Sequence, residues 1–148
     1  ICDTTGMAHP AQVTRLTRAL QQRFGSLQLT LHFHNTRGMG LANVLAAAQE
    51  GITRFDGSLG GLGGCPYAPG ASGNVVTEDL VFMFEAMGVA TGVDLEALVA
   101  ARAALQAGLP GEPVYGMTPE AGLGKGFAYA DGRRPASERL LPAAGDHA

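Results

Sequence analysis

The sequence predicts an α/β fold built on parallel strands, and three observations carry that reading. Short runs rich in strand formers alternate with longer segments whose apolar residues recur every three or four positions. Glycine and proline punctuate the junctions between them. Polar residues with chemical potential gather after the strands, where parallel sheets place their working groups. Only three strands can be read. Parallel sheets are normally covered on both faces and rarely stop at three, so the expectation is part of a barrel or of a doubly wound sheet.

Each element has its local reason. A short apolar start, residues 1–2, runs into Asp3-Thr4-Thr5-Gly6. Pro10 suits the first turn of a helix that Gly25 stops, with a face through Val13, Leu16, Leu20 and Phe24. "LQLTLHFH" (27–34) alternates and is a strand. Residues 38–49 are helical by Leu41, Val44, Leu45 and Ala48, and Gly51 ends that helix. A third strand over about 52–59 leads into "GGLGGCPYAPGASGN" (60–74), which is too rich in glycine and proline for a helix or a central strand. Thr77 caps a helix running to Met87 and stopped by Gly88. Asp94 caps another, carried by Leu95, Leu98, Val99, Arg102 and Leu105, with Gly108 behind it. The expected organisation is therefore a domain over 1–108 and an irregular or partly disordered tail over 109–148, where periodicity fades and Pro, Gly and charge increase.

Composition narrows the function classes. The 148 residues are 46% hydrophobic, enough for one core. A net charge of −3 without a basic run argues against a nucleic-acid partner. No apolar stretch approaches the roughly 20 residues that span a bilayer, so no membrane is expected. Two cysteines, Cys2 and Cys65, are too few for a disulfide framework. With no signal peptide either, a reducing, cytoplasmic setting is expected. The chain opens on Ile1 instead of methionine, which suggests a piece of something longer.

His32 and His34 are the strongest local evidence for chemistry. Residues i and i+2 of a strand share a face, so the two imidazoles project side by side. Together they can grip a divalent metal with a third ligand from elsewhere, or they can simply line a polar surface through hydrogen bonds. The following Asn35-Thr36-Arg37-Gly38 opens a helix and either binds an anion or caps. Cys65 is either an inert small hydrophobe or, placed among glycines, a reactive thiol. Asn74 either starts the next helix or offers a neutral hard oxygen suited to Mg²⁺ or Mn²⁺. Asp3 is either a helix-start residue or a substrate contact.

"DTTG", "LHFHNTRGMGLANVL" and "GGLGGCPYAPGASGNVVTEDLV" together resemble the 3-hydroxy-3-methylglutaryl-CoA lyase family, within the TIM-barrel metallolyase superfamily. The likeness covers roughly residues 1–108, and the cysteine segment is its most specific part. It implies the C-terminal portion of a (β/α)8 barrel, about strands six to eight, plus C-terminal helices. It also implies an acyl-CoA substrate and Mg²⁺ or Mn²⁺ as cofactor. By this resemblance His32, His34 and Asn74 are metal ligands and Cys65 is the catalytic thiol of a lid loop. Asp3 and Thr4 match residues lining the substrate pocket after strand six.

The reaction so implied is a retro-Claisen cleavage of the thioester to acetyl-CoA and acetoacetate. His32 is a candidate base for the substrate hydroxyl, and Cys65 protonates the acetyl-CoA enolate. Two departures stand out. Asn35 follows the second histidine where animal lyases usually carry aspartate. The strand-one aspartate and arginine of the family have no counterpart in the chain. Alternatives remain: a lyase or condensing enzyme for a related acyl-CoA such as a citramalyl-type thioester, or a non-catalytic half-barrel partner subunit. The chain alone is expected to be inactive, and to form a homo-oligomer or associate with the missing barrel half.

Overall fold

The computed structural model describes residues 1–64 and 73–136. Three short strands alternate with helices: β1 (Cys2–Asp3), α1 (Pro10–Arg23), β2 (Leu31–Phe33), α2 (Gly40–Gln49) and β3 (Phe55–Asp56). A 3-10 turn, Leu59–Gly61, precedes α3 (Thr77–Ala86), α4 (Leu95–Gly108) and the short α5 (Met117–Ala121). The strands lie in the order β1-β2-β3, and both pairings are parallel. This is the α/β rhythm expected, a three-stranded parallel sheet of the kind found in part of a barrel.

The alternation of β2 sets the layers. Leu31 and Phe33 are buried and pack with Val13 of α1, Val44 and Ala47 of α2, and Leu80 of α3. His32 therefore points to the opposite face, away from the helices. A second apolar cluster joins Val81 of α3, Leu95 of α4 and Tyr129. Since Leu80 and Val81 are neighbours on α3, that helix ties the two clusters together.

Several expectations need correction. The ladder is shorter than the sequence suggests, with β2 confined to Leu31–Phe33 and β3 to Phe55–Asp56. β1 offers only Cys2 and Asp3 to β2, so residues 27–30 find no partner strand. Leu16 and Phe24, read as part of the buried face of α1, are 45% and 41% exposed. Val13 and Thr17 are the buried positions of that helix, because no described element covers the outer side of edge strand β1. Thr77 does not cap α3. Val76 holds the cap position, and the Thr77 amide donates to the Ser58 carbonyl (3.0 Å). Asp94 does cap α4, its Oδ1 accepting from the Ala97 amide at 3.0 Å.

The described part of the C-terminal segment is tied down by hydrogen bonds. The amides of Met117 and Thr118 donate to the Asp79 carboxylate at 3.0 and 2.7 Å. Tyr129 is 5% exposed, and its hydroxyl accepts from the buried Leu95 amide (3.0 Å).

Candidate active site

The helix-free face of the sheet gathers the polar groups. The His32 and His34 rings sit with centroids 5.1 Å apart in an edge-to-face arrangement, as the shared-face argument requires. His34 is buried at 6% exposure, while the His32 side chain is 27% exposed.

Asn74 reaches the same face by a different route. After the glycine-rich segment the chain runs antiparallel beside the end of β2, with Asn74 paired opposite His34. The Asn35 amide donates to the Gly73 carbonyl (3.1 Å), and the Val75 amide to the Phe33 carbonyl (3.0 Å). Residues directly opposite each other in such a pair project to the same side, so Asn74 faces where His34 faces. The crossing is tight. A Cβ on Gly73 would lie 1.5 Å from the Gly61 carbonyl oxygen, so only glycine fits there. One on Gly63, at φ +101°, would meet Asn74 Nδ2 at 2.8 Å.

The amide of Asn74 is oriented. Its Nδ2 donates to the Leu62 carbonyl at 2.7 Å, and the Ser58 hydroxyl donates to that same oxygen. This leaves Asn74 Oδ1 buried and without a hydrogen-bond partner. An unsatisfied buried carbonyl oxygen is costly and needs an explanation, of which an ion is one. Asn43 Oδ1 is the other such atom among the described residues, but it lies on α2 in the helix layer, where its Nδ2 donates to the Ala8 carbonyl (3.0 Å). Two imidazoles and one amide oxygen on one face fit a divalent cation that accepts nitrogen and oxygen donors. No carboxylate belongs to this set. Among the described residues no three His, Cys, Asp or Glu side chains converge on a metal position.

The other expected residues are placed as follows. Asp3 is in register with Phe33, on the helix side, and its oxygens accept from the Met7 and Ala8 amides, each at 3.0 Å. Thr4 is exposed in the turn after β1. Cys65 lies outside the described residues. Asn35 Oδ1 accepts from the Gly40 amide (2.9 Å), and Arg37 Nη1 donates to the carbonyls of Thr5 (2.9 Å) and Gly6 (3.3 Å). The polar cluster opening α2 thus holds loops together. Among the described residues, a groove beside β1 and α1 and another between α2 and α3 flank the sheet, and these two do not include His32 or His34.

One partner escaped the sequence reading as a site residue. Asp56 stands beside His32 across the β2–β3 ladder, and its Oδ1 is hydrogen-bonded to His32 Nδ1. Its place near the end of the third strand was legible, but its register against His32 was not.

Comparison with known proteins bears on this arrangement. Residues 1–105 match the family model described as HMGL-like. The hydroxymethylglutaryl-CoA lyase YngG of Bacillus subtilis is 60% identical over 99 residues, 67% of this chain and 33% of that protein. The (R)-citramalyl-CoA lyase of Chloroflexus aurantiacus is 52% identical over 122 residues, 82% of this chain and 38% of that protein. Among solved structures, an HMG-CoA lyase from Acinetobacter baumannii in complex with coenzyme A and 3-methylmalate superposes with a TM-score of 0.78 at 53% identity. That match covers 84% of this chain and 41% of the other. The chain spans about a third of the length of the curated relatives it matches.

Proposed function

This chain belongs to the HMGL-like family, and from that premise we propose that it is part of a divalent-metal-dependent carbon–carbon lyase. The substrate is 3-hydroxy-3-methylglutaryl-CoA and the products are acetyl-CoA and acetoacetate. Residues 1–108 form the barrel-derived part, equivalent to strands six to eight, and 109–148 an appended tail. The observation that carries the reading is the shared face of His32, His34 and Asn74, with Asn74 Oδ1 buried and unpartnered.

In this reading His32, His34 and Asn74 would hold Mg²⁺ or Mn²⁺, which would supply Lewis-acid polarisation that makes the substrate's hydroxyl easier to deprotonate. Nε2 of His32 is the ring nitrogen left for the cation or for the substrate's hydroxyl proton, one at a time, since Nδ1 is engaged by Asp56. Cys65 is the acid that protonates the departing enolate. Thr4, exposed in the turn after β1, borders the substrate, and Asp3 supports that border from the helix side of the sheet. Asp3 does so through its carboxylate, which organises the turn into α1. A citramalyl-type thioester is the second reading, favoured because the match to the citramalyl-CoA lyase runs over 122 residues, against 99 for the Bacillus subtilis enzyme.

The test is acetoacetate release with Mn²⁺ by the chain alone, and by the chain joined to strands one to five of the Bacillus subtilis relative. The chain alone is expected to be inactive and self-associated, because two sheet edges are open and the cation lacks a carboxylate. The joined protein should turn over. In it Cys65→Ser should cut turnover by about 10² or more while Mn²⁺ binding persists. His34→Ala should lower Mn²⁺ binding and turnover together. A joined protein that binds no Mn²⁺ and cleaves neither thioester overturns the lyase reading.

A further inference from the structure

We propose that Asp56 is a positioning residue for His32, holding the ring proton on Nδ1 and presenting Nε2 to the face shared with His34 and Asn74. The proposal deepens the lyase reading and rests on it for the use made of Nε2.

Three observations support it. His32 and Asp56 are Cα partners in the parallel β2–β3 ladder, so their side chains leave the sheet on the same side and at the same height. Asp56 Oδ1 is hydrogen-bonded to His32 Nδ1. In a neutral ring bonded to an ionised carboxylate, which has no proton to donate, the proton of that bond sits on Nδ1 and Nε2 carries the lone pair. Third, the Asp56 side chain is 54% exposed, so burial does not account for its place beside the ring. On one flank the His32 ring meets the edge-to-face His34 ring, and on the other the carboxylate, which leaves little freedom for a ring flip.

A consequence follows for His32 itself. With Nδ1 occupied, one lone pair serves either the cation or the substrate proton, and not both at once. Free histidine in water favours the opposite tautomer, with the proton on Nε2. Carboxylate–histidine pairing is the general device for reversing that preference, and removing the carboxylate typically costs 10- to 100-fold in metal affinity.

The experiment is ¹⁵N–¹H correlation of the imidazole nitrogens at neutral pH in the chain joined to strands one to five of the Bacillus subtilis relative, for the wild type, Asp56→Asn and Asp56→Glu. Mn²⁺ affinity is followed in parallel. The wild type should show His32 protonated on Nδ1. Asp56→Asn should move His32 toward the Nε2-protonated form, leave the His34 signals in place, and weaken Mn²⁺ binding by about 10- to 100-fold. Asp56→Glu should restore part of both. A wild-type His32 protonated on Nε2, or a tautomer unmoved by Asp56→Asn in a protein that keeps its other histidine signals, overturns the proposal. Absence of Mn²⁺ binding in the wild type counts against the metal reading alone, because the tautomer decides the role of Asp56 independently.

Discussion

On α3, Glu78 and Glu85 are buried and their carboxylates are fully engaged, whereas across the sheet His32 and Asp56 stay partly exposed and Asn74 keeps a buried oxygen without a partner. Glu78 accepts from the Gly60 amide (3.1 Å to each oxygen) and from Arg102 Nη1 (2.6 Å), which also donates to the Tyr115 carbonyl (2.7 Å). Glu85 accepts from the Thr91 amide and hydroxyl on one oxygen and from the Ala130 amide (2.8 Å) on the other. Satisfied networks of this kind hold segments in one arrangement. Here they pin the turn before the glycine-rich segment and the C-terminal segment to α3. The sheet face does the reverse: it holds donors in place and leaves acceptor capacity unspent. The glutamates that stabilise are saturated; Asn74 Oδ1, poised for a ligand, is not.

The largest effect tests the saturated side. Glu78→Ala strands the Arg102 guanidinium, whose side chain is only 10% exposed, in a site built for an ion pair. Breaking a buried pair from one side costs about 3–5 kcal/mol. Chemical denaturation should show that loss, and Glu78→Leu with Arg102→Met should recover much of it, since replacing both partners removes the stranded charge. A single variant as stable as the wild type would mean that the pair holds nothing.

A smaller loss is expected at Glu85. Burial raises its pKa, but the hydrogen bonds from Thr91 and Ala130 outweigh that effect and leave the carboxyl below its ordinary value. A depressed folded-state pKa contributes stability that is present above the unfolded value and lost as pH falls through the folded one. Glu85→Gln can accept on only one oxygen, so the donor facing the new amide group is left unsatisfied, at about 1–3 kcal/mol. Thermal unfolding across pH should show this gap at neutral pH and a narrowing gap as pH drops below the ordinary carboxylate range. A gap constant down to strong acid would mean that the carboxylate charge is not what the donors hold.

The legibility of these two regions differs for physical reasons. The strand and helix order follows from periodicity and punctuation, which are local, and so does the Asp94 cap. The same-face placement of His32 and His34 needs only the two-residue strand repeat. The role of Thr77 was misread because its amide is taken by Ser58, a contact made nineteen residues back along the chain. Glu78 and Glu85 look like ordinary solvent-facing helix residues in the sequence. Their burial depends on Arg102, Tyr115, Thr91 and Ala130, which arrive from later segments. The pairing of Asp56 with His32 is a matter of register, and register between parallel strands is set by the packing of the connecting helix. The ligand set expected from resemblance shares one face, while the carboxylate of Asp3 is turned to the helix side.

The smallest expected effect tests the unsaturated side. Asp56→Ala removes a carboxylate that is more than half exposed and sits at the end of edge strand β3. Exposed ion pairs contribute about 0–1 kcal/mol, and substitutions away from buried features usually stay within about 0.5 kcal/mol. The denaturation midpoint of Asp56→Ala should therefore lie close to that of the wild type, although the same change releases the His32 ring. A loss matching that of Glu85→Gln would place Asp56 among the groups that hold the fold. The contrast between a saturated helix and a poised sheet face would then fail at the residue where it makes its sharpest claim.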